Sequence, residues 1–218
     1  MARQKLKRFA ENAITETVIE PGKELFSSIK GNWSSDFFYN SNPITLELGC
    51  GYGEYSVGLA KLYPNKNFVG VDIKGSRIWQ GSTLARENGL TNVGFLRTKI
   101  QNIENFFAED EVSEIWITFP DPRPKNRDRR RRLTSPRMLE IYRKIIAANG
   151  IIHLKTDSRE LMDYTLESLF SLNITPIQNT FDLYKEVNHQ DIHYNIKTKY
   201  ENIYLAENKP INYVKFNL

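Results

Sequence analysis

Residues 44–53 read ITLELGCGYG, and this stretch decides the fold. The apolar run Ile44–Leu48 predicts a short buried strand, and glycines at positions 49, 51 and 53 predict a turn directly after it. The helical pattern that follows runs from Glu54 to Leu62. A strand, a glycine loop and a helix in this order form the first unit of an α/β sheet.

The rest of the chain repeats this alternation of strands and helices. It predicts a doubly wound, mostly parallel sheet of seven strands, a Rossmann-like α/β fold whose ligands bind at the carboxyl ends of the strands. The tail, in which Asn202–Ala206 is strand-like, is predicted to add one or two edge strands. The other predicted strands are Phe68–Asp72, Val93–Arg97, Glu114–Phe119 and Gly150–Lys155, and the other predicted helices are Lys74–Asn88, Ser135–Ala147 and Ser158–Phe170.

The length and composition predict one globular domain. The chain has 218 residues, of which 40% are hydrophobic, which is enough for one well-buried core. We expect residues 41–218 to form this domain and residues 1–40 to be a basic N-terminal arm and a covering segment. Residues 1–12 offer only Leu6 and Phe9 as apolar anchors, which is typical of a frayed terminus or of an arm that orders on contact with RNA.

The charge and the cysteine usage indicate the class of partner and the compartment. The net charge is +4, and the positive charge is concentrated at the start of the chain and at residues 123–132, which indicates a polyanionic partner such as a nucleic acid. The single cysteine, Cys50, excludes an internal disulfide framework and fits a reducing compartment. With no apolar run of 18 residues and no leader, we expect a cytoplasmic protein without a membrane span. The sequence does not distinguish a monomer from a homodimer.

The glycine loop and the acids around it indicate an adenosine cofactor. Asp72 ends the strand after the loop and is placed to accept hydrogen bonds from ribose hydroxyls. The third glycine of the dinucleotide fingerprint is replaced by Glu54, whose carboxylate would repel a pyrophosphate. Glu47 and Glu54 instead suit the cationic sulfonium and ammonium groups of S-adenosylmethionine. The simpler alternative is a plain strand-to-helix turn.

Residues 115–125, IWITFPDPRPK, place one carboxylate in a proline-rich loop. Pro120, Pro122 and Pro124 restrict the backbone, so we expect Asp121 to be held rigidly just past the end of a strand. The basic run that follows is expected on the surface, because such charges are not buried without partners. Charge alone favours a simpler interpretation, a loop beside a solvated basic face. The basic run comprises Lys125, Arg127, Arg129, Arg130, Arg131 and Arg132.

Five motifs taken together carry a resemblance to a known family. They are ELGCG at 47–51, FPDPRPK at 119–125, RRLT at 131–134, HLKTD at 153–157 and TKYE at 198–201. In combination they resemble the bacterial tRNA (guanine-N7)-methyltransferases, which methylate guanine 46 in the variable loop of tRNA. The resemblance covers nearly the whole chain. It implies a class I methyltransferase fold, S-adenosylmethionine as the cofactor and tRNA as the substrate.

The resemblance also implies roles for individual residues, and Asp121 is the expected catalytic residue and a cofactor contact. Two positions depart from the family pattern: Lys99 stands where members often have an aspartate, and Arg123 stands where many have a tryptophan. The implied cofactor-binding residues are Glu47, Gly49, Gly51, Gly53, Asp72, Lys99 and Ile100. The implied substrate-binding residues are Lys125, Asp157, Thr198, Lys199, Tyr200 and Glu201. The side chains expected on the RNA backbone are Arg127, Arg129, Arg130, Arg131 and Arg132.

The reaction that the family performs requires alignment more than proton transfer. N7 of guanine has a lone pair and carries no proton, so displacement at a sulfonium methyl needs no strong base. Methylation leaves the purine positively charged, and a nearby carboxylate stabilises that charge as it develops. We therefore expect Asp121 to hold the base and stabilise charge without titrating near neutral pH.

Other residues and other functions compete with this interpretation. His153 lies in an apolar strand and is expected to be structural. His189 and His193 lack a third ligand and a helical pattern, so we expect no metal site. Two competing functions are a methyltransferase for another target, such as an exocyclic amine, and a non-catalytic RNA-binding module that retains the fold.

Overall fold

The computed structural model describes residues 2–186 and 196–218. Its sheet has eight strands within these residues, arranged in the order β1-β4-β3-β2-β5-β6-β8-β7. The strands are β1 (Val18–Ile19), β2 (Ile44–Leu48), β3 (Asn67–Asp72), β4 (Val93–Arg97), β5 (Val112–Thr118), β6 (Ile146–Thr156), β7 (Gln178–Thr180) and β8 (Asn212–Asn217). The helices are α1 (Ala2–Ile14), α2 (Leu25–Ser28), α3 (Glu54–Leu62), α4 (Gly75–Glu87), α5 (Pro136–Arg143), α6 (Arg159–Ser171), α7 (Leu183–Glu186) and α8 (Lys199–Ala206).

The doubly wound, mostly parallel sheet is confirmed, with β2 at its centre. Strand β2 pairs in parallel with β3 on one side and with β5 on the other, and all five of its residues are buried. Strands β6 and β8 are antiparallel, as are β8 and β7. Strands β2 to β6 are all parallel, so their carboxyl ends lie together at one end of the sheet. This is where such folds bind ligands.

The sheet has one strand more than the seven predicted. Three of the eight strands, β1, β7 and β8, were not located from the sequence, and β1, two residues long, pairs in parallel with Phe95 and Leu96 of β4. Two buried residues are too few to produce a periodic signal in the sequence, although both Val18 and Ile19 belong to the core.

One predicted strand and one predicted helix end are wrong. The strand predicted at Asn202–Ala206 is part of α8, which begins with a capping box between Thr198 and Glu201. The helix predicted to run to Ala147 ends at Arg143, and strand β6 begins at Ile146. The apolar residues Ile145 and Ile146 continue the helical pattern, so periodicity alone could not separate the end of the helix from the start of the strand.

The N-terminal segment forms a helix that packs on α4. The side-chain amide of Asn12 donates to the backbone oxygen of Gly75 at 2.8 Å, and the guanidinium of Arg8 lies 4.6 Å from the Trp79 ring centroid. Trp79 also donates its indole N–H to Glu11. The few apolar anchors did not predict a packed helix, because polar and cation–π contacts add to the close apolar contact of Phe9 with Gly75.

Candidate active site

A cleft of about 690 Å³ opens at the carboxyl ends of the parallel strands. Gly49 of the glycine loop and Asp121 of the proline loop both line it, so the two stretches that carry the sequence argument meet here. We call residues 49–53 the glycine loop and residues 119–125 the proline loop. The residues that line the cleft are Gly49, Asp72, Ile73, Lys74, Arg77, Thr98, Lys99, Ile100, Gln101, Phe119, Pro120, Asp121, Arg123, Arg130, Arg131, Leu133, Arg137 and Met138.

The glycine loop turns through three residues in the left-handed region, Gly49, Gly51 and Gly53, with φ of 83°, 54° and 72°. Glycine adopts this region without the steric penalty of a side chain. The backbone N–H groups of Gly49 and Cys50 both donate to the oxygen of Val71, at 2.8 and 3.1 Å, which fixes the loop to the end of β3. A Cβ atom on Gly53 would lie 2.6 Å from Phe95 Cε1, so this position also has no space for a side chain.

Asp72 connects the glycine loop to the cleft. Its carboxylate accepts from the Gly51 N–H at 3.0 Å and from the Lys74 N–H at 2.8 Å. The side chain lines the cleft beside Lys99 and Ile100, which follow the end of β4. A carboxylate fixed by two backbone donors retains lone pairs for further donors, such as ribose hydroxyls.

Glu47 lies beneath the loop rather than in the cleft. It is 2% exposed, and its carboxylate accepts from the Ser56 N–H at 2.9 Å and from the Thr118 hydroxyl at 2.7 Å. Burial raises the pKa of this carboxyl to about 7. Its contact with a cofactor therefore stays a prediction, while its visible role is to join β2, α3 and β5.

The side chain of Glu54 also lies outside the lining of the cleft. Its carboxylate accepts from the backbone N–H of Lys199 at 2.8 Å, at the first turn of α8. The idea that Glu54 faces the loop's ligand is therefore wrong for this structure. Sequence spacing placed Glu54 correctly at the start of α3, but not the direction in which its side chain points.

Cys50 is buried, and burial raises the pKa of its thiol well above the usual range. The Sγ atom would lie 3.0 Å from a Cβ atom added to Gly70. A protonated thiol in so tight a space is a packing residue, not a nucleophile.

Asp121 is exposed on the proline loop and is held by local hydrogen bonding. Its Oδ1 atom accepts from the Arg123 N–H at 3.1 Å. Phe119 and Arg123, on either side of it, have left-handed φ values of 47° and 46°. The Phe119 N–H donates to the backbone oxygen of Lys155 at 2.8 Å, which fixes the start of the loop to β6.

The cleft is strongly cationic. Seven lysine and arginine side chains line it, against the two acids Asp72 and Asp121. Arg77 and Arg137 were not singled out from the sequence. Arg77 lies one turn after Lys74, and Arg137 lies in the first turn of α5, so the ends of two helices supply charges that the linear arginine run did not reveal.

The arginine run does not lie wholly on the surface as predicted. Arg127 and Arg131 are exposed and contact Asp128, and Arg129 pairs with Glu167 at 3.0 Å. Arg132 is the correction, because its side chain is 1% exposed and its charge is paired with Glu160. A guanidinium that is buried and paired with a carboxylate is not available to a phosphate. The expectation that Arg132 contacts the RNA backbone is therefore wrong.

Four of the predicted substrate residues, Thr198, Lys199, Tyr200 and Glu201, lie at the start of α8. The Phe119 ring of the cleft is 5.8 Å from that of Tyr204 on α8. Glu201 is fully buried and pairs with Lys155 at 2.5 Å, also fully buried, while Thr198 caps the helix. Partial burial raises the pKa of Asp157.

The other members of this set are more exposed. Lys125, Lys199 and Tyr200 are exposed side chains. Of the substrate residues named from the sequence, none is among those that line the cleft itself. They flank it, and their roles toward a substrate stay predictions.

His153 is structural, as expected. It stacks on Trp116 with ring centroids 3.9 Å apart, and its ring nitrogens lie 2.9 Å from the Tyr213 hydroxyl and 3.2 Å from Glu114.

Residues 2–186 and 196–218 contain no group of three metal-ligating side chains. The interpretation of His189 and His193 falls outside the described residues. Within those same ranges no helix has the length and apolar character that a membrane span requires.

Comparisons with known proteins agree with this architecture. A family model described as "Putative methyltransferase" matches residues 41–214. The tRNA (guanine-N(7)-)-methyltransferase of Cytophaga hutchinsonii is 47% identical over 218 residues, covering 99% of this chain and 98% of its own. That of Christiangramia forsetii is 47% identical over 221 residues, covering 100% and 99%. The crystal structure of the 16S rRNA methyltransferase KamB has a TM-score of 0.64 at 13% identity, covering 91% of this chain and 94% of that one, which shows a shared fold.

Proposed function

The chain belongs to the tRNA (guanine-N(7)-)-methyltransferase family, and we propose that it transfers a methyl group from S-adenosylmethionine to N7 of guanine 46 in the variable loop of tRNA. The observation that carries the proposal is that Gly49 and Asp121 line one cleft at the carboxyl ends of the strands. A cofactor held at Gly49 and a guanine base held at Asp121 would meet in this cleft. The proposed setting is the cytoplasm, where tRNA is available.

The residues around the glycine loop suit S-adenosylmethionine. The close approach of backbone at Gly49, the carboxylate of Asp72 and the segment Lys99–Ile100 form one wall of the cleft. Asp72 would accept from the ribose hydroxyls, and Ile100 would contact the adenine. When bound, the cofactor supplies an electrophilic methyl group on a sulfonium sulfur. Lys99 places a cation here, so we assign the adenine contact to its backbone and to Ile100.

Asp121 is the proposed catalytic residue because of what N7 methylation requires. The nucleophile carries no proton, so the chain must align the base and stabilise the positive charge that develops on the purine. Alignment alone supplies on the order of 7 to 11 kcal/mol in favourable cases. An exposed carboxylate fixed through Arg123 is suited to both tasks, with Asp157 as a second acceptor at the end of β6.

The cationic rim is the proposed RNA contact. Arg130 and Arg131 line the cleft, Lys125 and Arg127 are exposed beside it, and α1 adds a basic helix. These side chains would bind phosphates and offset the few kcal/mol that extruding the target guanine costs. In this proposal the basic N-terminal part of residues 1–40 acts as an arm toward tRNA, the rest of that segment covers the sheet, and residues 41–218 carry the catalytic site.

The test is methyl transfer to defined RNA. The protein is incubated with methyl-labelled S-adenosylmethionine and unmodified tRNA, and the product is cleaved chemically at 7-methylguanosine. We expect one scission site, at position 46. A tRNA with adenine at position 46 is the matched control and should accept no label. Label at another position, or on an exocyclic amine, would replace this proposal with another methyltransferase activity, and binding of the cofactor without transfer would favour an RNA-binding module.

A further inference from the structure

Arg132 ends the basic run, yet its guanidinium points into the protein. Its Nε and Nη2 atoms donate to the backbone oxygen of Arg123 at 3.3 and 3.1 Å. Nη2 also donates to the carboxylate of Glu160 on α6. The guanidinium lies 4.5 Å from the ring centroid of Tyr164, so one face of it is covered by an aromatic ring.

The backbone oxygen of Arg123, which accepts both of these hydrogen bonds from Arg132, belongs to the proline loop. Arg123 has a left-handed φ of 46°, which costs a residue with a side chain on the order of 1 kcal/mol or more. Such a conformation persists only where its surroundings hold it. Here the Arg123 N–H donates to Asp121 and its carbonyl accepts from Arg132. Arg123 therefore hydrogen-bonds both to the carboxylate of Asp121, the proposed catalytic residue, and to the buried guanidinium of Arg132.

The contact depends on the shape of arginine as well as on its charge. A guanidinium presents two parallel N–H groups and a flat face at the same time, and a lysine ammonium cannot reproduce this. The backbone of Arg132 adds to the arrangement, because its N–H donates to Arg129 and its oxygen accepts from Ser135. Arg132 therefore joins the proline loop, the turn at residues 126–131 and α6.

We infer that Arg132 is a positioning residue, which holds Arg123 in its left-handed conformation and thereby holds Asp121 toward the cleft. This rests on the proposed function of Asp121. It gives neighbouring residues opposite tasks: Arg131, with a side chain 69% exposed, faces the RNA, while Arg132 faces the catalytic loop.

The test compares Arg132→Lys and Arg132→Met with Arg131→Met, and uses Arg143→Met as a control. Arg143 is an exposed arginine on α5 that pairs with Glu140 and has no part in the site. Methyl transfer is measured as separate kcat and KM values for tRNA, together with the salt dependence of tRNA binding. Amide hydrogen exchange of residues 119–133 is measured on the folded proteins without RNA or cofactor.

We expect both Arg132 variants to lower kcat about tenfold or more, because a displacement of about 1 Å between reacting groups can cost about 100-fold. Their salt dependence should match the wild type, and exchange at residues 119–133 should be faster. Arg131→Met should instead raise KM and flatten the slope of log K against log salt by roughly 0.7 to 0.9, the loss of one phosphate contact. Arg143→Met should match the wild type in every measurement.

The inference is overturned if Arg132→Lys exchanges at the wild-type rate and keeps the wild-type kcat. It is equally overturned if the variant behaves as Arg131→Met does, because that identifies a phosphate contact. If Arg132→Met fails to fold, the kcat and the hydrogen exchange of Arg132→Lys decide whether Arg132 positions the loop. Hydrogen exchange needs no substrate, so it tests the contact even if the wild-type protein leaves tRNA unmethylated, a result that would remove the proposed function alone.

Discussion

The two loops that border the cleft are held in opposite ways. The glycine loop is held without backbone strain, because its glycines adopt left-handed φ values freely and its N–H groups donate to Val71 and Asp72 at the end of β3. The proline loop also has left-handed residues, but they are Phe119 and Arg123, which carry side chains. Its supports come from elsewhere in the chain, from the backbone of Lys155 and the side chain of Arg132. The glycine loop reaches its left-handed turns without strain, whereas the proline loop has left-handed residues with side chains that its contacts must hold.

The largest expected effect comes from breaking the buried ion pair of Lys155, the residue whose backbone oxygen accepts from the start of the proline loop. Lys155 and Glu201 form a fully buried ion pair, and Tyr184 donates to the same carboxylate at 2.6 Å. Breaking a buried pair by removing one partner typically costs about 3 to 5 kcal/mol, because the other charge stays buried. Lys155→Met should lower the free energy of unfolding by that amount, measured by urea denaturation.

The matched control for Lys155→Met is Lys144→Met. Lys144 pairs with Glu104 at 2.6 Å, but its side chain is 62% exposed. Exposed pairs contribute about 0 to 1 kcal/mol, so the control should change little. Equal effects of the two substitutions would show that burial does not set the strength of the Lys155 pair.

The local support of the glycine loop is tested by Gly53→Ala. The added methyl group would clash with Phe95 at 2.6 Å and would force alanine into a left-handed φ of 72°. Overpacking and the backbone penalty together cost roughly 3 kcal/mol. Gly89→Ala is the control, because Gly89 has a φ of 64° but open space around it. A calorimetric loss for Gly53→Ala no larger than for Gly89→Ala would contradict the clash.

Asp121→Asn tests the proline loop at its functional end. The exposed side chain contributes little to the core, so we expect the thermal transition to stay near that of the wild type. Loss of the charge that faces the developing cation should lower kcat about 100-fold, the scale seen when one group of a preorganised electrostatic site is removed. Measured turnover equal to the wild type would show that Asp121 does not stabilise the transition state.

The difference between the loops also explains what the sequence could predict. Gly49 and Asp72 were identified from spacing, because their function depends on backbone conformation and on the position of a strand end. The inward direction of Arg132 and the contact of Glu54 with α8 depend on residues 28 and 145 positions away, and no local pattern encodes such pairings. Strand β1 was missed for a related reason, since two residues gain their strand character only from β4.

A dependence of stability on pH arises beneath the glycine loop. The folded state raises the pKa of Glu47 from its ordinary value to about 7, chiefly through burial. Between about pH 4.5 and pH 7 the folded protein therefore binds a proton that the unfolded chain has released. This contribution to stability is complete below the unfolded pKa and is lost as the pH rises through 7, and at about 1.4 kcal/mol per pKa unit it amounts to about 3 kcal/mol.

Glu47→Gln should remove this dependence. A glutamine retains an oxygen to accept from Ser56, and its amide N–H can donate to the Thr118 hydroxyl in place of the bond that Glu47 accepts. We expect the variant to be more stable than the wild type at pH 8 and no more stable at pH 5, as measured by urea denaturation at both values. Other titrating groups, such as His153, contribute equally to both proteins and cancel in the difference. A difference between variant and wild type that stays constant with pH would show that Glu47 is ionised in the folded protein, with its two hydroxyl donors sufficient to hold the charge.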